Sequence, residues 1–302
     1  MKEIIRTPED RFEDLEDYNF QSNYIAIEEG LRLHYLDEGQ GNQPTVVLLH
    51  GEPSWSYLYR KMIPVLSRRF RVIAPDLIGF GKSDKFVDKQ NYSYQKHINW
   101  IATFILKLDL QNIILFCQDW GGLIGLRVVT EMASRFDMVI ASNTTLPTGK
   151  IPMPDSFLKW REFSQHSPGF NIGKVIDMGT VQPLSESVYK AYNAPFPSEE
   201  HKAGARIFPT LVPVEPDDPE SIKNMEAWGK LRNWEKPFLT IFGEQDTIMF
   251  GAEKAFQKLV PGAQGQNHQI LQTGHFIQEE KGEELAELII EFYQKNTPAN
   301  NG

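Results

Sequence analysis

Cysteine is almost absent from this chain. Cys117 is the only one among 302 residues, so no intrachain disulfide can form and nothing points to an oxidising compartment. Long apolar runs are missing as well. No window reaches the length of a membrane-spanning helix, and the opening MKEIIRTPEDRFEDLEDY is charged throughout, without the apolar core of a secretion signal. A cytoplasmic protein with no membrane partner is therefore expected, and the sequons at Asn91 and Asn143 read as chance matches. Basic stripes are absent too: 31 Lys and Arg stand against 40 Asp and Glu, and the net charge of −9 argues against a nucleic-acid partner. Histidines and carboxylates nowhere gather at metal-ligand spacing, so neither a metal nor a cofactor is expected. What the chain does have is 41% hydrophobic residues and six tryptophans, enough to build a large core in one α/β domain with an insertion or in two domains.

The apolar runs alternate between strand and helix patterns, as in a doubly wound sheet. Residues 23–28 and 31–36 read as a hairpin around Glu29-Gly30, and 45–49, 71–75, 112–116 and 138–142 as strands. Residues 56–67 and 96–108 read as helices, the second with Ile98, Ile101, Ala102 and Ile105 on one face. From Pro147 the strand signal stops. Eleven prolines follow up to Pro219, with short helical pieces at 155–166, 185–192 and 198–206 between them. The alternation resumes with strands at 238–242 and 268–271, a helix at 252–259 between them, and a last amphipathic helix carrying Leu285, Leu288, Ile289 and Phe292. The tail from Thr297 is expected to fray. Residues 147–224 thus read as a helical cap inserted into a core of residues 1–146 and 225–302.

The stretch Cys117-Gln118-Asp119-Trp120-Gly121-Gly122 lies where a buried strand meets a helix. Small residues two before and two after one exposed side chain, on a sharp strand-to-helix turn, are the signature of the nucleophile elbow. The implied fold is that of an α/β-hydrolase, a mostly parallel eight-stranded sheet with helices on both faces. The residue at the turn is Asp119, and no GxSxG occurs, which argues against an ordinary serine esterase. A carboxylate suits attack on alkyl carbon, because the ester it forms can be cleaved by water at its carbonyl. The plainer reading of Asp119 is a helix N-cap, and the rest of the chain has to decide.

An oxyanion hole needs one N–H from the residue after the nucleophile, here Trp120, and one from the loop after an earlier strand. That loop is His50-Gly51-Glu52-Pro53, where Glu52 would supply the second N–H unless the segment is a simple Gly-Pro turn. The base should come last in the chain order, and His275 follows the last strand; His50 is its competitor. Asp246, in Gly243-Glu244-Gln245-Asp246 after the preceding strand, is the expected orienting acid, with Glu244 as the alternative. Gly81-Lys82-Ser83 resembles the end of a P-loop, but its leading glycine would fall on Asp76.

Taken together, HGEPSWSYLYRKM at 50–62, DLIGFGKSDK at 76–85, CQDWGG at 117–122, FLKW at 157–160, YNAPFP at 192–197, GEQD at 243–246 and GHFIQ at 274–278 resemble the haloalkane dehalogenases, within them the subfamily with two halide-binding tryptophans. The resemblance covers nearly the whole chain. It implies cofactor-independent hydrolysis of a small haloalkane to primary alcohol, halide and proton. Asp119 would be the nucleophile and His275 the base for water; halide would rest on the indole N–H groups of Trp120 and Trp160, with Trp228 as the fallback. Where the other main subfamily has an Asn donor, this chain has Glu52, which cannot donate while ionised, and Asn143 and Thr144 cannot be its acid; both departures point to Asp246 and a cap tryptophan. The expected partners are haloalkane, halide and water, and the expected state is a monomer. Phe157, Phe116, Leu123, Phe196 and Phe208 are candidate walls of an apolar pocket. Two alternatives remain. An epoxide hydrolase would use cap tyrosines such as Tyr189 and Tyr192, and a non-catalytic ligand-binding protein could share the scaffold.

Overall fold

The computed structural model describes residues 3–40 and 44–297. Eight strands form one sheet: β1 (Asn23–Glu28), β2 (Leu31–Glu38), β3 (Thr45–Leu49), β4 (Arg71–Pro75), β5 (Ile113–Gln118), β6 (Phe136–Ser142), β7 (Phe238–Gly243) and β8 (Gln269–Leu271). Their spatial order is β8-β7-β6-β5-β3-β4-β2-β1. Every pairing from β4 to β8 is parallel, and the hairpin β1–β2 is added antiparallel through β2. The hairpin turns at Gly30, whose φ of 73° is the left-handed conformation that glycine adopts without a Cβ penalty. Strands β3, β5 and β7 are buried at every position, which is why they read as unbroken apolar runs and not as alternating ones.

Helix α1 (Tyr94–Lys107) starts at Ser93, whose side chain accepts from the Lys96 N–H, and α2 (Trp120–Glu131) follows the elbow directly. Between β6 and β7 the chain builds α3 (Asp155–His166), α4 (Ile172–Met178), α5 (Glu186–Asn193), α6 (Ala203–Leu211) and α7 (Pro219–Leu231). The sheet is completed by α8 (Glu253–Leu259) and α9 (Ile277–Asn296), the latter kinked at Lys281.

Several elements differ from the sequence reading. The helix expected at 56–67 is a 3₁₀ turn, Ser56–Tyr59, and a single α-turn, Ile63–Leu66. Two helices, α4 and α7, went unread. Pro219 is the first residue of α7 and Asp218 caps it, so a proline taken for punctuation is a helix start. Two-residue strands at Ile4–Ile5 and Lys85–Phe86 form a separate ribbon too short to leave a pattern. The tail beyond Thr297 lies outside the described residues. Among those described, no helix is long and apolar enough to cross a membrane.

Candidate active site

The sharp turn after β5 is real and strained. Asp119 has φ 52° and ψ −124°, a conformation that costs a non-glycine residue on the order of 1–3 kcal/mol. The surroundings over-determine it. Its N–H donates to Asn143 O (3.1 Å), and its carbonyl accepts from Gly122 N–H (2.9 Å), Leu123 N–H (3.2 Å) and Thr144 Oγ1 (2.7 Å). Three glycines leave the room. A Cβ on Gly121 would lie 2.0 Å from Leu49 O, one on Gly122 2.1 Å from Thr144 Oγ1, and one on Gly51 2.4 Å from Asp119 Cβ. A helix N-cap would place its side chain on the N–H of the second or third residue of α2; Asp119 makes no such cap.

Instead the carboxylate turns toward the β3 loop. Glu52 N–H donates to Asp119 Oδ1 at 2.8 Å, and the Trp120 N–H also bonds the carboxylate. Oδ2 lies 3.6 Å from His275 Nε2. Burial raises the Asp119 pKa above the usual carboxylate value, against the pull of His275 and the two N–H donors.

His275 stands in the loop after β8 and donates from Nδ1 to Asp246 Oδ2 at 2.8 Å. Asp246 is fully engaged: Oδ1 accepts from Ile248 N–H (2.9 Å) and Met249 N–H (3.1 Å), and Oδ2 also from Asn143 Nδ2 (2.7 Å). Burial works against its charge, but His275 and these donors together hold its pKa below the ordinary value. For His275 burial pulls the pKa down, and Asp246 and Asp119 outweigh it, raising it to about 9.

The competitors fall elsewhere. His50 is buried, donates to Gly51 O and accepts from Leu77 N–H at 2.9 Å, so it braces the loop of Glu52. Glu244 is exposed and takes the amide of Gln272. Trp228 donates its indole N–H to Leu146 O at 2.8 Å. Tyr192 donates its hydroxyl to Glu279 at 2.6 Å, and neither it nor Tyr189 lines the site. In the P-loop look-alike, Lys82 Nζ reaches Ser22 and Ser83 Oγ reaches Asp76 O, a self-contained turn. Asn143 is fully buried, so its sequon cannot serve as an acceptor.

Asp119, Trp120, Asp246 and His275 border a cavity of about 550 Å³, together with Glu52, Trp160, Leu123 and Phe157. The other proposed wall residues do not reach it. Phe116 packs on Tyr59, and Phe208 packs at a tilt behind Trp120 with ring centroids 4.6 Å apart, while Phe196 lies against Phe80. Trp120 is further braced by Tyr94 at 5.1 Å, and Trp160 by Phe170 at 5.7 Å. Among the described residues no group of His, Cys, Asp and Glu could hold a metal ion.

Three side chains whose roles could not be read from the sequence complete the frame. Asn143 ties Asp246 to the Gly243 N–H (2.9 Å) and has φ 40°, an unusual angle that asparagine tolerates. The Gln118 amide lies 2.9 Å from His275 Nε2 and donates to the His275 carbonyl at 3.2 Å. The Glu52 side chain is the third. Burial, reinforced by Asp119, pushes its pKa well up, and its Oε1 has no hydrogen-bond partner, so its surroundings disfavour the anion its letter suggests.

Residues 44–198 match the α/β-hydrolase fold family model. The chain is 52% identical over 299 residues to a haloalkane dehalogenase of Psychrobacter cryohalolentis, covering 97% of this chain and 99% of that one. It is 47% identical to a haloalkane dehalogenase of Mycolicibacterium paratuberculosis, over 96% of this chain and 98% of that one. Among solved structures it is similar to the tetrameric haloalkane dehalogenase DpaA of Paraglaciecola agarilytica, with a TM-score of 0.90 and 35% identity over 96% of this chain and 98% of that one.

Proposed function

Because the chain belongs to the haloalkane dehalogenases of the α/β-hydrolase superfamily, hydrolases acting on carbon–halide bonds, we propose residue roles for its hydrolytic dehalogenation of haloalkanes. Asp119 Oδ2 displaces halide from the alkyl carbon, leaving an ester whose carbonyl oxygen, Oδ1, stays on the Glu52 and Trp120 N–H groups. His275 then takes a proton from water, the hydroxide adds to the ester carbonyl, and collapse releases alcohol and restores the carboxylate. The net yield is one alcohol, one halide and one proton.

The ester also changes the base. Asp119 is one of the two anions that hold the proton on His275, and alkylation cancels its charge. The neutral ring is then favoured, with Nε2 free to accept a proton from water. Since only the neutral ring acts as base, ester hydrolysis should fall about tenfold per pH unit on the acid side. Its midpoint should lie below the value of about 9 set by both carboxylates. Rapid-quench measurement of ester decay against pH checks this. A rate that falls as pH rises would exclude His275 as the base.

Halide rests, in this reading, on the indole N–H groups of Trp120 and Trp160, donors without added charge. The observation that carries it is that both line the cavity of Asp119, whereas the Trp228 N–H is already bonded to a carbonyl. Trp160→Phe should weaken bromide binding about 10- to 100-fold, the worth of one hydrogen bond to a charged group. Bromide quenching of tryptophan fluorescence measures it, and unchanged affinity would remove Trp160 from the halide site. Residues 147–224 form the cap in this proposal, over a core of 1–146 and 225–302. The expectation of a cytoplasmic monomer belongs to it too; the Paraglaciecola enzyme is a tetramer.

A further inference from the structure

The loop that carries His275 touches the helices between β6 and β7 backbone to backbone. The His275 N–H donates to Gly179 O at 2.7 Å, and the Phe276 N–H to the same oxygen at 3.3 Å. The approach depends on two glycines: a Cβ on Gly274 would lie 2.3 Å from Gly179 O, and one on Gly179 would lie 2.6 Å from the Phe276 ring. One carboxylate spans the seam. Glu280 Oε2 accepts the Gly274 N–H at 2.7 Å, while Oε1 accepts Val181 N–H at 2.9 Å and, more weakly, Gln182 N–H at 3.4 Å. Met178, Gly179, Thr180 and Val181 line the cavity, so the segment that Glu280 grips is also a wall against the substrate.

We propose that Glu280 is a positioning residue for ester hydrolysis, clipping segment 178–182, of which 178–181 wall the cavity, to the loop that aims the His275 ring at its water. The inference rests on His275 being the base. Both oxygens of Glu280 must accept, because each faces backbone N–H donors; an amide would turn an NH₂ toward one of them. Halide displacement uses Asp119 and the tryptophans, which hang from other elements, and does not depend on the clip.

Glu280→Gln keeps the shape of the side chain and breaks one end of the clip. Rapid quench of the variant should give an undiminished burst of halide, with ester hydrolysis slowed about tenfold at its high-pH plateau and its midpoint unmoved, because aim is lost and not basicity. A midpoint shift with the plateau intact would mean that Glu280 acts through its charge, and loss of burst together with hydrolysis would mean general loosening; either overturns the proposal, as does wild-type behaviour. Gly179→Ala pushes the same segments apart from the other side, and should also slow hydrolysis more than the burst. If it does and Glu280→Gln does not, packing alone sets the ring and Glu280 has no part. His275→Phe, run in parallel, separates the two readings: if it fails to accumulate ester, the base assignment has failed, whereas accumulation there beside unaltered Glu280→Gln kinetics sinks the clip alone.

Discussion

Replacing Asp119 by alanine abolishes halide release, by a factor on the order of 10⁵ to 10⁶ at the nucleophile itself. No neighbouring group can take over. Glu52 is close by, but burial and Asp119 push its pKa well up, against the nucleophilic anion, and its own N–H holds Asp119 Oδ1. Asp246 has all its acceptor positions filled from behind the histidine. The fold should survive. Alanine at φ 52° costs about 1–2 kcal/mol, a strain that aspartate already bears there, and removing a buried carboxylate relieves a desolvation penalty. Halide release on a short bromoalkane, beside a thermal melt within a few degrees of wild type, is the measurement. Turnover that persists in a folded variant would move the nucleophile elsewhere.

His275→Phe has the second-largest effect, and of a different kind. The burst of one halide per site remains, because displacement needs no proton transfer, and hydrolysis falls by about 10²–10⁴. Alkyl-enzyme therefore accumulates, and intact mass shows the protein heavier by the alkyl group of the substrate. A stoichiometric burst without adduct would contradict the covalent scheme. Losing the imidazole also leaves Asp246 facing an apolar ring, with three backbone or amide donors still in place to hold its position.

What could be read from the sequence was what is local. The elbow announces itself within six residues, because strand, turn and helix are each dictated by neighbours in the chain. His275 and Asp246 were reachable because the strand order fixes which loops meet above the sheet. The bracing was not legible. Asn143 meets Asp246 across 103 residues, and nothing near position 143 states that its amide will be needed. Glu52 reads as an anion, since ionisation is a property of the burial that the fold imposes and not of the letter. Phe196 and Phe208 are apolar and sit in the right region, yet hydrophobicity alone does not say whether a ring faces a cavity or the back of another ring. Pro219 was legible as a signal and ambiguous in sense, because proline both ends helices and begins them.

The Gln118 amide meets the ring of His275 across 157 residues, with most of the chain between them. During synthesis from the N-terminus the strand of the proposed nucleophile is available early, while the proposed base arrives only with the last strand of the sheet. A chain that has folded everything but β8 is therefore chemically inert at the second step, however native its far-ultraviolet spectrum. Closure of so long a loop is the slow kind of contact to form. Recovery of steady turnover after dilution from denaturant thus reports the end of assembly, later than any spectroscopic marker of the central strands.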